Sequence, residues 1–164
     1  MFSSETYEVQ DCWYWNETGI TYNSTSSTDR RVMSGLEDIE YTPTGKFEMS
    51  FTLEADTYGK RFYFISKTQS TSSSNKYGIG ADIDTSYCNL VLRTTSSSGE
   101  HTTRTNPATF KFVIDGSNID MYCNGSLVTT KTASWFTGYA PYVFTWGIWN
   151  TGTVTASNLK IKPL

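Results

Sequence analysis

The sequence predicts an all-β fold, a sandwich of antiparallel sheets, and three observations support this. Aromatic residues make up 15% of the 164 residues and charged residues only 18%, and aromatic and β-branched side chains suit a pleated surface. No long segment carries apolar residues at helical spacing. Several runs alternate apolar and polar residues between loops rich in Ser, Thr, Gly and Asn. The length predicts one domain, residues 1–164.

The stretch from Thr109 to Thr132 shows the pattern most clearly. Two tight turns, Asp115-Gly116 and Asn124-Gly125, divide it into three antiparallel strands, because glycine after Asp or Asn between alternating runs is typical of hairpins. The first two strands place a set of apolar residues on one predicted core face: Phe110, Phe112, Ile114, Ile119, Met121 and Cys123.

The first 45 residues are less regular. They predict a strand from Tyr7 to Trp15, a polar loop from Asn16 to Asp29, a short strand at Arg31–Met33 and another around Ile39–Tyr41.

From residue 46 onward the alternation is stronger. Lys46–Glu54 predicts a half-buried strand. Arg61–Lys67 is apolar on both faces, which predicts a central strand. In Lys76–Asp84 the alternation places four residues on one face: Tyr77, Ile79, Ala81 and Ile83. Gly78 and Gly80 leave the opposite face of that strand flat or open. Further strands are predicted at Cys88–Arg93, Tyr142–Trp149 and Thr153–Pro163, with polar loops at Gln69–Asn75 and Thr94–Pro107 and an aromatic loop at Ala133–Pro141.

Two segments carry a family resemblance. The segment Ile119 to Val128 reads Ile-x-Met-Tyr-x-Asn-Gly-x-Leu-Val, and the closing segment Gly152 to Ile161 reads Gly-x-Val-x-Ala-x-Asn-Leu-Lys-Ile. Both resemble the later strands of concanavalin A-like lectin/glucanase domains and of laminin-G-like modules. The resemblance covers the last 60 residues or so, and Lys46–Arg93 more weakly. It implies a jelly-roll β-sandwich of two antiparallel sheets.

Charge and hydropathy exclude several function classes. The formal net charge is −3, whereas a nucleic-acid partner would require a basic patch. No apolar run is long enough to cross a membrane, and Met1–Gln10 lacks the apolar core of a signal peptide. We therefore expect an extracellular, cell-surface or virion protein, joined to other modules of a longer parent or exported by another route.

The residues that enzymes of similar folds use are not arranged for catalysis here. Glycosidases of the family carry alternating carboxylates on one strand, whereas Glu37, Asp38 and Glu40 include two adjacent residues that point to opposite faces. The Arg-rich and Gln-x-His strands of polysaccharide lyases are also missing, and His101 falls in a predicted polar loop. The sequence therefore predicts no catalytic residues.

Two aspartates and three cysteines leave questions open. Asp82 and Asp84 alternate, and a loose resemblance to legume lectins implies a calcium site there, although a plain polar strand end is the preferred explanation. Of Cys12, Cys88 and Cys123, at most two can form an intramolecular disulfide. Cys123 shares the predicted core face, which favours a buried thiol, and a Cys88–Cys123 bridge cannot be derived from spacing.

Surplus aromatic surface is the strongest functional indication. Several large side chains are not needed for the core and suit the flat faces of sugars, with polar neighbours for the hydroxyls; the candidates are Trp13, Trp15, Arg61, Tyr63, Trp135, Tyr139, Trp146 and Trp149. The leading hypothesis is a non-catalytic module that binds a glycan or cell-surface polysaccharide. The alternatives are an assembly module that binds a protein neighbour, and a glycosidase or lyase with a non-standard site.

Overall fold

The structure, a computed structural model, describes residues 13–16, 19–24, 30–35, 46–56, 60–65, 78–93, 97–133, 143–148 and 152–164. Side chains are described at 46–56, 79–92, 99–133, 153–158, 160 and 162–164. This part of the chain contains strands and no helix. The strands are β1 Trp13–Asn16, β2 Gly19–Ser24, β3 Arg30–Gly35, β4 Phe47–Ala55, β5 Lys60–Ile65, β6 Gly78–Ile83, β7 Tyr87–Arg93, β8 Ser97–Thr103, β9 Ala108–Asp115, β10 Asn118–Cys123, β11 Ser126–Thr132, β12 Val143–Ile148 and β13 Gly152–Pro163.

These strands form two antiparallel sheets. The seven-stranded sheet has the order β1-β2-β13-β4-β9-β10-β11, and the six-stranded sheet has the order β3-β12-β5-β6-β7-β8. The last strand, β13, pairs with β2 on one side and β4 on the other, so the two ends of the described chain meet in one sheet. The predicted fold class, an all-β sandwich of two antiparallel sheets, is confirmed.

The core lies between the sheets and follows the alternation in the sequence. In β4 every second residue from Phe47 to Ala55 is buried, while the residues between them are half-buried or exposed. Each apolar residue loses its contact with water without burying its polar neighbours, which is why period-2 patterns produce sandwiches. The largest side chains that are fully buried are Phe47, Phe51, Phe110, Phe112 and Met49.

The hairpins β9–β10 and β10–β11 form as the turn residues predict. Gly116, Asn124 and Gly125 have positive φ angles of 58°, 49° and 82°, the left-handed region that glycine and asparagine tolerate. The Asn124 side chain also accepts a hydrogen bond from the backbone N–H of Thr109 at 2.9 Å and donates one to Thr105 Oγ1 at 2.7 Å. Both side-chain bonds of Asn124 hold the second turn against the neighbouring chain.

Gly125→Ala tests this turn. A Cβ at position 125 would contact no neighbouring atom, but the φ of 82° remains unfavourable for any residue with a Cβ. We expect the free energy of unfolding to fall by about 1 kcal/mol, measured by urea denaturation. Ser126→Ala, one residue further along, is the control and should change it by less than about 0.5 kcal/mol. Equal effects of the two changes would contradict the role assigned to the backbone conformation.

Two predicted loops contain strands, and these predictions were wrong. Residues 97–103 form β8, which pairs with β7, and residues 19–24 form β2, which lies between β1 and β13. β8 reads Ser-Ser-Gly-Glu-His-Thr-Thr, so it has no apolar alternation from which a strand could be recognised. It is an edge strand, and backbone pairing with one neighbour, rather than burial of its own side chains, accounts for its conformation.

No helix in the described part of the chain is long and apolar enough to span a membrane.

Candidate functional site

A polar row crosses the outer face of the six-stranded sheet. Register partners follow one another through all six strands in the order Arg31, Gly147, Arg61, Asp82, Asn89 and His101. Directly opposed residues of antiparallel strands share a face. The face is the one away from the core, because Ala81, Ile83, Cys88 and Leu90, which alternate with Asp82 and Asn89, are buried in the core cluster. With about 4.8 Å between strands, the polar row spans roughly 24 Å.

The centre of the polar row is buried although it lies on the outer face. Asp82 is 1% exposed and Asn89 4% exposed, and Asn89 Nδ2 donates a hydrogen bond of 3.2 Å to Asp82 Oδ2. Gly80 and Val91, on the same face, are buried as well. The expectation that the glycines of β6 leave this face open is therefore wrong at Gly80, which is buried.

Asn89 has an unused acceptor. Within the described structure its Oδ1 atom has no hydrogen-bond partner, and a buried carbonyl without a donor costs about 1–3 kcal/mol. Gly99, on the neighbouring strand β8, lies against this atom: a Cβ at position 99 would overlap Asn89 Oδ1. Asn89 Oδ1 therefore occupies the space beside Gly99 that the side chain of any larger residue at position 99 would need.

An aromatic pair lies beside Asn89. The rings of Tyr87 and His101 stack with their centroids 3.9 Å apart and an angle of 9° between their planes. Tyr87 is half-buried and His101 is exposed, and His101 is the register partner of Asn89. The prediction that His101 is a loop residue was wrong, because it belongs to β8. The pair provides accessible ring surface next to the polar centre of the face.

Arg61 and Tyr63 lie on the six-stranded sheet, and their binding role stays a prediction. Arg61 is the register partner of Asp82 and Tyr63 of Gly80, so both belong to the rows of the outer face. Trp146 belongs to another row. Its register partner on β5 is Phe62, which pairs in turn with the buried Ala81. The register thus separates Trp146 from Arg61 and Tyr63.

The other predicted aromatic residues lie elsewhere. Trp13 and Trp15 are on β1 of the seven-stranded sheet, opposite Tyr22 and Ile20. Those two residues pair with Val154 and Ala156, which are buried, so both tryptophans share register rows with core residues. Trp135, Tyr139 and Trp149 lie outside the described residues, as does the cluster Glu37, Asp38 and Glu40. The binding roles of all these aromatic residues stay predictions.

The two candidate calcium ligands are engaged with protein groups. Asp82 contacts Asn89, and Asp84, in the turn after β6, accepts hydrogen bonds at Oδ1 from the backbone N–H and the hydroxyl of Thr85, at 2.6 and 3.1 Å. Calcium takes six to eight oxygen ligands. No group of three or more His, Cys, Asp and Glu side chains suited to a metal occurs among the described residues. The calcium site stays a prediction.

Sequence reasoning missed Asn89, Gly99 and the Tyr87–His101 pair as site residues. The alternation Tyr87-x-Asn89 was visible in β7, but the outward direction of these residues depends on which face of β7 is buried. The neighbours across β8 could not be found, because β8 itself was assigned to a loop.

No protein-family model matches this sequence, and a search of curated proteins finds no relative. Solved structures, in contrast, share the fold. An alginate lyase from Pseudomonas aeruginosa is 10% identical with a TM-score of 0.61, covering 96% of this chain and 88% of its own. A carbohydrate-binding module from Bacillus subtilis is 15% identical with a TM-score of 0.60, covering 96% and 93%.

A third structure is of botulinum neurotoxin type C, which depends on an interaction with two ganglioside molecules to enter cells. It is 15% identical with a TM-score of 0.58, and the match covers 93% of this chain but 42% of the toxin chain. At these identities the similarity shows the fold alone, a jelly-roll β-sandwich. The jelly-roll expectation is confirmed, whereas membership of the concanavalin A-like superfamily stays an expectation.

Proposed function

We propose that this protein is a non-catalytic carbohydrate-binding module that holds a glycan along the polar row of the six-stranded sheet. The observation that carries the proposal is the Tyr87–His101 stack, which offers ring surface on the outer face beside the buried Asp82–Asn89 pair.

The surroundings of this pair suit the same ligand. The Tyr87–His101 rings supply flat surface for the apolar face of a sugar, and Arg31 and Arg61 lie further along the polar row. A sandwich-fold carbohydrate-binding module is among the solved structures that share this fold. A glycan partner also agrees with a surface, secreted or virion location, and with attachment to other modules of a longer protein.

A screen of neutral and acidic glycans with the purified protein, in calcium and in chelator, tests the proposal. His101→Ala should weaken binding of any positive glycan at least about fivefold, if the sugar face gains from the ring a free energy similar to the roughly 1–3 kcal/mol of a base stacked on an aromatic side chain. Tyr122→Ala is the matched control, since its ring contacts Lys111 on the outer face of the other sheet. It should leave affinity unchanged.

The outcomes separate the function classes. Binding lost in Tyr122→Ala and kept in His101→Ala would refute the proposed site. Binding lost only in variants of Trp135 or Trp149 would place the site in the loops instead. Loss in chelator would support calcium at Asp82 and Asp84. No binding to any glycan would favour an assembly module that contacts a protein neighbour.

A polysaccharide lyase is the second candidate, because His101 and Tyr87, side chains able to transfer protons, lie together on the outer face, and alginate lyases share the fold. Incubation with acidic polysaccharides, followed by assay of unsaturated products and new reducing ends, distinguishes the two. Product formation that disappears in His101→Ala would replace the binding-module proposal with an enzymatic one.

A further inference from the structure

The turn between β10 and β11 holds a reactive dipeptide. Asn124-Gly125 is the only Asn-Gly pair in the sequence, both residues are exposed, and a Cβ at position 125 would meet no atom within 4 Å. An asparagine before glycine loses its side-chain amide readily, because glycine has no Cβ to shield its backbone nitrogen. That nitrogen attacks the asparagine Cγ atom and closes a succinimide ring. The rate in the folded protein depends on how the structure holds the amide.

Two hydrogen bonds hold the Asn124 amide. Its Oδ1 accepts from the backbone N–H of Thr109 at 2.9 Å, and its Nδ2 donates to Thr105 Oγ1 at 2.7 Å. Thr109 lies on β9 and Thr105 in the segment that precedes it, so both bonds tie the turn to another part of the chain. The backbone N–H of Asn124 also donates to the carbonyl oxygen of Thr109 at 2.8 Å. The atom that must leave in the reaction, Nδ2, is therefore the one that Thr105 binds.

We propose that Asn124 is a deamidation site whose reaction the folded turn slows, with Thr105 as the residue that restrains it. The backbone nitrogen of Gly125 bonds to Asn124 Cγ, the Cγ–Nδ2 bond breaks, and Nδ2 leaves as ammonia with the proton that the Gly125 nitrogen gives up. Water then opens the succinimide at either carbonyl and yields aspartate or isoaspartate. Both products add a negative charge to a chain of formal net charge −3, and no atom is oxidised or reduced.

The two products fit the turn differently. An aspartate keeps the length of the backbone and accepts from the N–H of Thr109 as the asparagine does. The hydroxyl of Thr105, which both donates and accepts, turns its proton toward the other carboxylate oxygen. An isoaspartate inserts a methylene into the backbone at a residue whose φ is 49°, where the chain reverses. It therefore disturbs the pairing of Cys123 with Ser126 across the hairpin. The reaction does not depend on the proposed glycan-binding function.

Incubation of the full-length protein at mildly alkaline pH, folded or unfolded in guanidinium chloride at the same pH and temperature, tests the proposal. After digestion, the peptide that contains Asn124 is followed by mass spectrometry for replacement of its amide by a carboxyl group. We expect the folded protein to react at least about fivefold more slowly, because two hydrogen bonds of ordinary strength must break first. Equal rates in the two states, or no reaction at Asn124 in the unfolded chain, would overturn the proposal.

Thr105→Val removes the hydroxyl that binds Nδ2 and keeps a branched side chain of similar shape. It should accelerate deamidation of the folded protein about two- to tenfold and leave the rate in guanidinium chloride unchanged. Thr130→Val is the matched control, because it removes a hydroxyl further along the same hairpin, one that donates to Asp120 Oδ1 at 2.7 Å. No acceleration by Thr105→Val, or equal acceleration by both changes, would refute the role of Thr105. The comparison of folded and unfolded protein needs neither variant, so it stands even where a variant fails to fold.

Discussion

Phe112→Ala is expected to lower the free energy of unfolding by about 3–5 kcal/mol. The Phe112 side chain is 0% exposed, its ring centroid lies 6.0 Å from that of Phe51, and its register partners Met49 and Met121 are fully buried. Removing the ring leaves a cavity between the sheets that these neighbours cannot close completely. Urea denaturation followed by tryptophan fluorescence measures the change.

Thr109→Ala, on the exposed face of the same strand, is the matched control for Phe112→Ala. Within the described residues its hydroxyl has one side-chain hydrogen-bond partner, the hydroxyl of Thr52 at 3.4 Å, so a change of less than about 1 kcal/mol is expected. A small effect of Phe112→Ala, or similar effects of both changes, would show that the core does not depend on β9 in the way described.

Asn89→Ala is expected to lower the free energy of unfolding by about 1 kcal/mol, because loss of the hydrogen bond to Asp82 destabilises the fold while removal of the unpaired carbonyl offsets part of that loss. The change removes the 3.2 Å bond that Nδ2 donates to the buried carboxylate of Asp82, and water cannot replace this donor freely at a group that is 1% exposed.

A double-mutant cycle isolates this bond from the other effects of each change. Asp82→Ala and Asn89→Ala are measured singly and together, and we expect a coupling energy of at least about 1 kcal/mol. Once the carboxylate is gone, the amide has no charge to stabilise, so the second change should cost less than it does alone. Additive effects would contradict the direct contact between the two side chains.

Much of the fold could be predicted from local patterns. The alternation in Lys46–Glu54 predicted β4 and its buried face, and Asp115-Gly116 and Asn124-Gly125 predicted both hairpin turns. In each case a few neighbouring residues carry the whole signal, since side chains alternate with period 2 and only a few residue types adopt a positive φ. The burial of Cys123 followed from the same alternation.

The candidate site was less predictable. The interpretation of surplus aromatic residues selected rings without an obvious role in the core, and the register places Trp13, Trp15 and Trp146 in rows that contain buried residues, so their binding roles stay predictions. His101 was set aside as a loop residue, although β8 places it beside Tyr87 and Asn89. Composition could indicate that aromatic surface is plentiful, but not which sheet face receives it.

The sequence by itself determined the all-β class, the sites of the tight turns and which residues of each strand share a side. Those properties depend on backbone geometry within a few residues. Only the tertiary structure decided that Arg61, Asp82, Asn89 and His101 form one row, and that Cys88 and Cys123 belong to one core. Strand order and register bring together segments far apart in the chain, and alternation within one strand carries no information about which strand lies beside it.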